Sequence, residues 1–570
     1  MKKLIPFAIA VVLIIVVAVC WVLPEFKGKY TYSTEEVDLY EYYEIYANEE
    51  VLVTLQNDLI PERARVFDEK VYVDIKMVET YFTDRFYYNE TEQVLLYSTP
   101  TDIITVKVGD ESTAYYVNDM ATTTGYKIAF IKDNTLYVAL DYVKRYSDFA
   151  YELFESPYRL QIYTQEAEAE LADIKKDTQV RTLGGVKCPI LAHLKEGDIV
   201  TVLNKMDTWT EVKTRDAIKG YVETKYLTNE RSAANKIPKE SVDIEYPDLS
   251  KEYTVAIAWH YVGSQGANEN LSALVSNAQG LNTVSPTWFY LKDNEGNILD
   301  LGSASYVQKA HEKGLEVWAL IEDITYDVDL EILLSSSAKR TKLINNLMDA
   351  ASRYKLDGIN IDFEGVKKAA AKHFVQFLRE LSIKTHEAGI VLSVDNYMPN
   401  AGNLYYNYAE QGRVADYVIL MGYDEHWAGC STAGSVASLP FEKNGIRAVL
   451  DMGVPASKII NAIPFYTRIW ETVNDKVKDT TDSMVNAKRW VEGKGIDLSW
   501  DEETGQYYGE LTSNNTFYQI WMEDEESINA KLNMMLSYNL GGVGAWRLGY
   551  EPATVWPLIK AYVMTNSINK

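Results

Sequence analysis

Residues 358–364 read Gly-Ile-Asn-Ile-Asp-Phe-Glu, alternating polar and apolar side chains from Asn360 onward. Alternate residues of a β-strand share a face, so Asn360, Asp362 and Glu364 are expected to point the same way. A buried polar group costs roughly 2–7 kcal/mol unless it is paired. Three in a row inside a parallel strand must therefore serve one another or a substrate. Two carboxyls and a carboxamide ending near the mouth of a barrel read as a proton-handling relay.

Such a relay needs a scaffold that opens all its strands toward one end. From Tyr253 onward, strand-like runs alternate with helical patterns, the signature of repeated βα units. The runs are Thr254–Trp259, Thr283–Tyr290, Glu316–Ile321, Gly358–Phe363, Val391–Asn396, Tyr417–Tyr423, Ile459–Tyr466 and Val543–Trp546. Eight strands in about 300 residues predict an α/β fold, a (β/α)8 TIM barrel over 248–566, with chemistry at the C-terminal strand ends. A longer segment, about 470–527, reads as an inserted hairpin between the seventh and eighth strands. Trp259, His260, Trp288, Tyr290 and Trp318 lie near strand ends, where aromatic rings either line a sugar groove or fill the core. Asp395, Asn396 and Tyr397 close the fifth strand and are candidates to reach the pocket.

Asp357-Gly-Ile-Asn-Ile-Asp-Phe-Glu364 resembles the DxxDxDxE signature of glycoside hydrolase family 18, the chitinase-like enzymes. The resemblance spans about 250–565. Met421-Gly-Tyr-Asp424 looks like the family's sixth-strand motif, Pro464-Phe-Tyr-Thr-Arg468 its seventh, and Gly541-Gly-Val-Gly-Ala-Trp546 its last. The nearest branch holds spore cortex-fragment-lytic N-acetylglucosaminidases. The resemblance implies substrate-assisted, retaining hydrolysis of N-acetylated glycans, with no cofactor and no metal. Glu364 would protonate the glycosidic oxygen. The substrate's acetamido oxygen would attack the anomeric carbon while Asp362 accepts the acetamido N–H. Tyr423 would hold the acetamido oxygen, and Trp546 would stack beneath the sugar. Asp357 and Asn360 complete the catalytic set. Asp424, Met421, Trp259, Tyr466, Arg468 and Asn396 are the candidate substrate-binding residues. One position departs from the family: Asn360 stands where the middle Asp is expected. Asn can hydrogen-bond Asp362 but cannot share its proton. Without a second carboxylate, Asp362 is expected to stay ionised more readily.

The rest of the 570-residue chain places this barrel. A net charge of −26 argues against nucleic-acid partners. Cys20 lies in the apolar N-terminal run, and Cys188 and Cys430, with no metal-ligand spacing, read as buried free thiols, a Cys188–Cys430 disulfide being the alternative. Lys2 and Lys3 precede an uncharged apolar run, Leu4 to Leu23, of about bilayer-spanning length. Residues 1–23 are therefore read as an uncleaved single-pass anchor with the remainder outside the cytoplasm, a cleaved secretion signal being the alternative. Residues 24–50 read as an acidic, Tyr-rich stalk or lead-in strand. Residues 51–165 carry an internal repeat, Val71–Tyr81 matching Leu136–Tyr146, each a strand leading into a helix. Its layout resembles the copper amine oxidase N-terminal module, without implying copper. Glu166–Asp177 reads as a charged connector. Residues 178–230, with Gly197-Asp198, Trp209 and Gly220-Tyr-Val222, resemble a bacterial SH3 domain, a small β-barrel. Anchor and accessory modules together point to peptidoglycan as the glycan, with chitin-type oligomers also fitting. The alternatives are a non-catalytic glycan-binding protein and a cell-wall scaffold. Nothing in the sequence selects endo or exo cleavage or an oligomeric state.

Overall fold

In the computed structural model, residues 5–17, 19, 29–109, 112–242 and 244–568 are described. They form two compact units. The first draws on Met1–Tyr88, Gln93–Leu95 and Thr105–Asp243, the second on Asn89–Glu92, Leu96–Ile104 and Ile244–Lys570.

In the second unit the eight expected strands are present, each within two residues of its expected bounds. They are β1 (Val255–His260), β2 (Thr283–Leu291), β3 (Glu316–Glu322), β4 (Gly358–Asp362), β5 (Val391–Tyr397), β6 (Tyr417–Met421), β7 (Ile459–Pro464) and β8 (Gly542–Trp546). All pair in parallel, and β1 pairs with both β2 and β8, which closes the barrel. The helices between strands cover its outside, where a continuous apolar core forms. A second cluster fills the inside, including Trp318, Leu320, Tyr417 and Ile419. Trp318 stacks on Tyr417 with ring centroids 5.3 Å apart. Gly358 makes room for that stack, since a Cβ there would lie 2.7 Å from the Trp318 ring. Trp288, Tyr290, Trp318 and His260 are all buried, so these strand-end aromatics are core.

The segment expected as a hairpin is larger. Tyr466–Val473, Lys476–Ser483, Leu498–Asp501, Gln506–Ser513 and Thr516–Trp521 form a five-stranded antiparallel sheet. The helix Met484–Lys494 packs on it through Ala487 and Val491. Lys476–Ser483 is mostly exposed and polar, so it lacks the alternating apolar signal that marks a half-buried strand.

In the first unit the two repeat strands lie side by side. Lys70–Asp74 and Thr135–Ala139 pair antiparallel, with Val73 opposite Val138. Each leads into a helix, Ile75–Tyr81 and Leu140–Val143. The repeat thus folds against itself. Part of the expected 51–165 module, Asn89–Glu92 and Leu96–Ile104, groups with the barrel unit. There Asn89 Nδ2 donates to the Ser335 carbonyl at 2.7 Å and Gln376 Nε2 to Ser98 Oγ at 3.0 Å. The charged connector is a strand, Glu168–Ile174, paired with Ile199–Lys205 and Leu227–Ala234 in a seven-stranded antiparallel sheet. Exposed Glu168 and Glu170 alternate with half-buried Ala169 and Leu171, and past a register shift at Leu171/Asp173 the side chains of Ala172 and Ile174 are buried in a core. The lead-in segment is not a free stalk: Tyr43 and Ile45 are buried against Leu52.

At the N-terminus, Ile5–Val17 is a helix of 13 residues. A span needs about 20. Among the described residues no helix is long and apolar enough to cross a membrane. Residues 18 and 20–28, on which the end of the expected anchor falls, lie outside the described residues, as does Cys20. Cys188 and Cys430 are free and half-buried.

Candidate active site

At the C-terminal mouth of the barrel, a pocket of about 200 Å³ opens above the inner core. Its floor is aromatic. Trp259, at the end of β1, is buried yet meets the pocket, and its ring lies 6.2 Å from that of Trp546 at the end of β8. Gly544 permits this approach, because a Cβ there would lie 2.9 Å from the Trp259 ring. Trp259 is therefore both core and lining.

β4 ends at Asp362, and Glu364 sits in the turn beyond it. The strand's pleat alone does not aim Glu364. The carboxylate of Asp323, just after β3, accepts the backbone N–H of Glu364 at 2.8 Å and of Gly365 at 2.9 Å. Burial raises Asp323 to about 6. Glu364 is raised above its usual range, first by burial. Tyr397, at the end of β5, opposes this by donating its hydroxyl to Glu364 Oε2 at 2.5 Å. A carboxyl whose pKa is raised in this way is what a general acid requires.

Asn360 is fully buried and does not bond Asp362. Its Oδ1 accepts from Trp259 Nε1 at 3.0 Å and Ser285 Oγ at 3.1 Å. Its Nδ2 donates to Ser393 Oγ at 3.1 Å and to Asp395 Oδ1 at 2.7 Å. The expectation that Asp362 stays readily ionised fails for this reason. Burial pushes Asp362 well above the usual carboxyl range, and the Asp395 charge adds to it. A second carboxyl is present, supplied by β5 rather than β4. Asp362 Oδ1 is buried with no hydrogen-bond partner.

The remaining candidates separate into those the fold gathers and those it does not. Tyr423, Asp424, Met421 and Tyr466 line the pocket. Asp424 accepts from Tyr466 Oη at 2.7 Å and from Arg468 Nη2 at 2.9 Å, and Arg468 also bonds Asp479 at 2.6 Å. Arg468 thus clamps Asp424 from behind and does not line the cavity. Asn396 points away, exchanging hydrogen bonds with Gln411 at 2.7 and 2.9 Å. Asp357 lies at the opposite end of β4, where its Oδ2 accepts from His311 Nε2 and the Val317 N–H, both at 2.8 Å. It stitches the barrel's base and stands roughly 20 Å of strand away from the mouth. Asp395 and Tyr397, not Asn396, are the lining residues of β5. The period-two rule that grouped Asn360 with Asp362 marks them too, since Ser393, Asp395 and Tyr397 alternate onto one face. Asp323 carried no such signal, for its role rests on backbone donors in another βα unit. Among the described residues, no group of three or more His, Cys, Asp or Glu side chains is arranged to hold a metal ion.

Residues 254–551 match the sequence profile of Glycosyl hydrolases family 18. The chain belongs to that family. It is a glycosidase, and the family-18 profile spans all eight barrel strands. It is similar to the uncharacterized glycosylase YvbX of Bacillus subtilis (strain 168), 25% identical over 295 residues, covering 49% of this chain and 84% of that protein. It is also similar to the cortical fragment-lytic enzyme of Bacillus subtilis (strain 168), 26% identical over 241 residues, 40% of this chain and 54% of that one. Among solved structures, the C-terminal domain of a Desulfitobacterium hafniense DCB-2 protein superposes with a TM-score of 0.50 at 21% identity, covering 55% of this chain and 99% of that one. That likeness speaks to the barrel fold.

Proposed function

We propose that this family-18 glycosidase cleaves β-linked N-acetylglucosamine glycans outside the cytoplasm, by substrate-assisted retention, with peptidoglycan as the first substrate and chitin-type oligomers as a second. The unpartnered Oδ1 of Asp362 carries this reading. Asp362 lines the pocket, and an acetamido N–H is a donor that its carboxyl would accept. In the mechanism Glu364 protonates the glycosidic oxygen. The substrate's acetamido oxygen attacks the anomeric carbon, with Tyr423 at its flank and Trp546 and Trp259 beneath the ring. Charge develops on the acetamido group, and Asp362 stabilises it through the N–H. Water then opens the cyclic intermediate, with Glu364 acting as base. Asp424, clamped by Arg468, borders the same pocket and adds negative potential toward the cationic transition state.

Similarity to the cortical fragment-lytic enzyme favours a wall substrate. The apolar run after Lys2 and Lys3 favours attachment to the membrane with the barrel outside. Release of reducing ends from purified peptidoglycan and from N-acetylglucosamine oligomers tests the reading, with Glu364→Gln as control. Loss of a general acid costs about 100- to 10,000-fold. Binding without turnover in both proteins would replace hydrolysis with glycan recognition.

A further inference from the structure

The registered pairs of β4 and β5 run Asn360 with Ser393 and Ile361 with Val394. One step further, that register sets Asp362 beside Asp395 on strands about 4.8 Å apart. Four carboxyls line the pocket, those of Asp362, Glu364, Asp395 and Asp424, and no Lys, Arg or His is among the described lining residues. Arg468 pairs with Asp424. Glu364 takes the Tyr397 hydroxyl. That leaves Asp362 and Asp395 as neighbours with no cation between them, and two such carboxyls do not both ionise readily.

The hydrogen bonds orient the two carboxyls. An indole N–H only donates, so Trp259 fixes Asn360 Oδ1 as an acceptor and turns Asn360 Nδ2 toward Asp395. Asp395 Oδ1 is thereby an acceptor, and Trp259 also lends the Asp395 carboxyl a hydrogen bond. Asp362 Oδ1 is a nearby buried acceptor lacking a donor, as is Glu322 Oε1 on the other side of Asp362. We propose that Asp395 is a positioning residue that shares one proton with Asp362, so that the pair presents a single negative charge to the substrate. This rests on the hydrolytic reading above. Burial also raises Asp395, to about 8, with Glu364 adding to the effect. The other titratable groups facing the pair are Tyr423 after β6, Asp323 and Glu322 at the end of β3, and Glu364 itself.

The test uses two variants of the full chain, Asp395→Asn and Asp395→Ala. Asn keeps a neutral donor beside Asp362 and still accepts from Asn360, whereas Ala does neither. In substrate-free protein at pH 7, infrared difference spectra of wild type against Asp395→Asn are expected to show the loss of one protonated-carboxyl C=O band. In turnover, Asp395→Asn is expected to keep kcat within about tenfold, and Asp395→Ala to lose a further 10- to 100-fold, the kinetic equivalent of one charge-assisted hydrogen bond. A single cooperative unfolding transition in both variants excludes misfolding as the cause. The proposal is overturned if no band is lost, if Ala turns over like wild type, or if Asn is as damaged as Ala, which would mean that a carboxylate rather than a neutral donor is needed. If wild type hydrolyses nothing, the hydrolytic reading fails by itself, and the infrared band still decides whether the proton is there.

Discussion

Replacing Tyr397 by Phe removes one hydroxyl and one contact, the 2.5 Å bond to Glu364 Oε2. That bond favours the carboxylate over the acid and so works against burial, which favours the acid. Its loss must raise the Glu364 pKa further. A hydrogen bond to a charged group is worth about 1.5–3 kcal/mol. Tyr397 is 40% exposed, so the lower end applies. About 1.5 kcal/mol is close to one unit of pKa. As a general acid, Glu364 must be protonated in the free enzyme, and the alkaline limb of kcat/KM reports its deprotonation. The Tyr397→Phe limb is therefore expected to move up by about one pH unit relative to wild type. A pH–rate profile on a soluble N-acetylglucosamine oligomer measures it. Tyr406→Phe serves as control, because Tyr406 bonds only the backbone carbonyls of Phe363 and Glu364 in this turn. A limb that stays put, or moves down, refutes the account of how Glu364 is tuned.

Other perturbations follow from the same contacts. Arg468→Met removes the clamp on Asp424 and leaves that carboxylate to the Tyr466 hydroxyl alone; a rise in KM and a loss of roughly 1–3 kcal/mol of stability are expected, read by kinetics and urea unfolding, and unchanged values would count against the clamp. Gly358→Ala drives a Cβ to 2.7 Å from the Trp318 ring and should cost about 1–3 kcal/mol by overpacking, seen as a lowered melting temperature. Arg340→Met strips the partner from Glu380, a pair bonded at 2.8 and 2.9 Å with both side chains buried, and should cost about 3–5 kcal/mol in chemical denaturation. Asp395 is raised to about 8 in the folded state against an unfolded value near 4, so the native protein binds a proton that the unfolded chain lacks between those limits. Its contribution to stability is full below about pH 4 and falls with rising pH, by up to about 1.4 kcal/mol per unit, until pH passes 8. Asp395→Asn removes that slope, so its melting temperature should gain on wild type from pH 5 to pH 8; a constant gap would contradict it.

The barrel was legible because its signal is local and repeated. Each of eight short apolar runs states its own strand, and the motifs fall at strand ends where parallel sheets present chemistry. Trp546, Tyr423, Met421 and Asp424 come from motifs that resemble those of the family at strand ends, and the pocket gathers all four. The insertion was read as a hairpin because two of its five strands are edge-like and polar, and a strand half in water carries little pattern. The connector 166–177 was misjudged through its charge. Glu168 and Glu170 look like linker until their alternation with Ala169 and Leu171 is counted as period two.

The site's chemistry was legible only as far as it ran along one strand. Asn360, Asp362 and Glu364 are neighbours in sequence, so the missing carboxyl at 360 was plain, and ionised Asp362 followed. That conclusion failed because hydrogen-bond partners in a parallel sheet come from the next strand, some 35 residues on. Asn360 does not face Asp362 as a weakened copy of an acid. It reaches across to Asp395 at 2.7 Å and is held from behind by Trp259 at 3.0 Å and Ser285 at 3.1 Å. The same crossing explains Asp323, which aims Glu364 from β3, and Tyr397, which tunes it from β5. Each is an ordinary residue in its own strand and acquires a role only through register. A carboxyl lost from one strand and present on its neighbour leaves the pocket's charge unchanged, and so the number of acids facing the substrate, rather than their order in a motif, sets the protonation the mechanism needs.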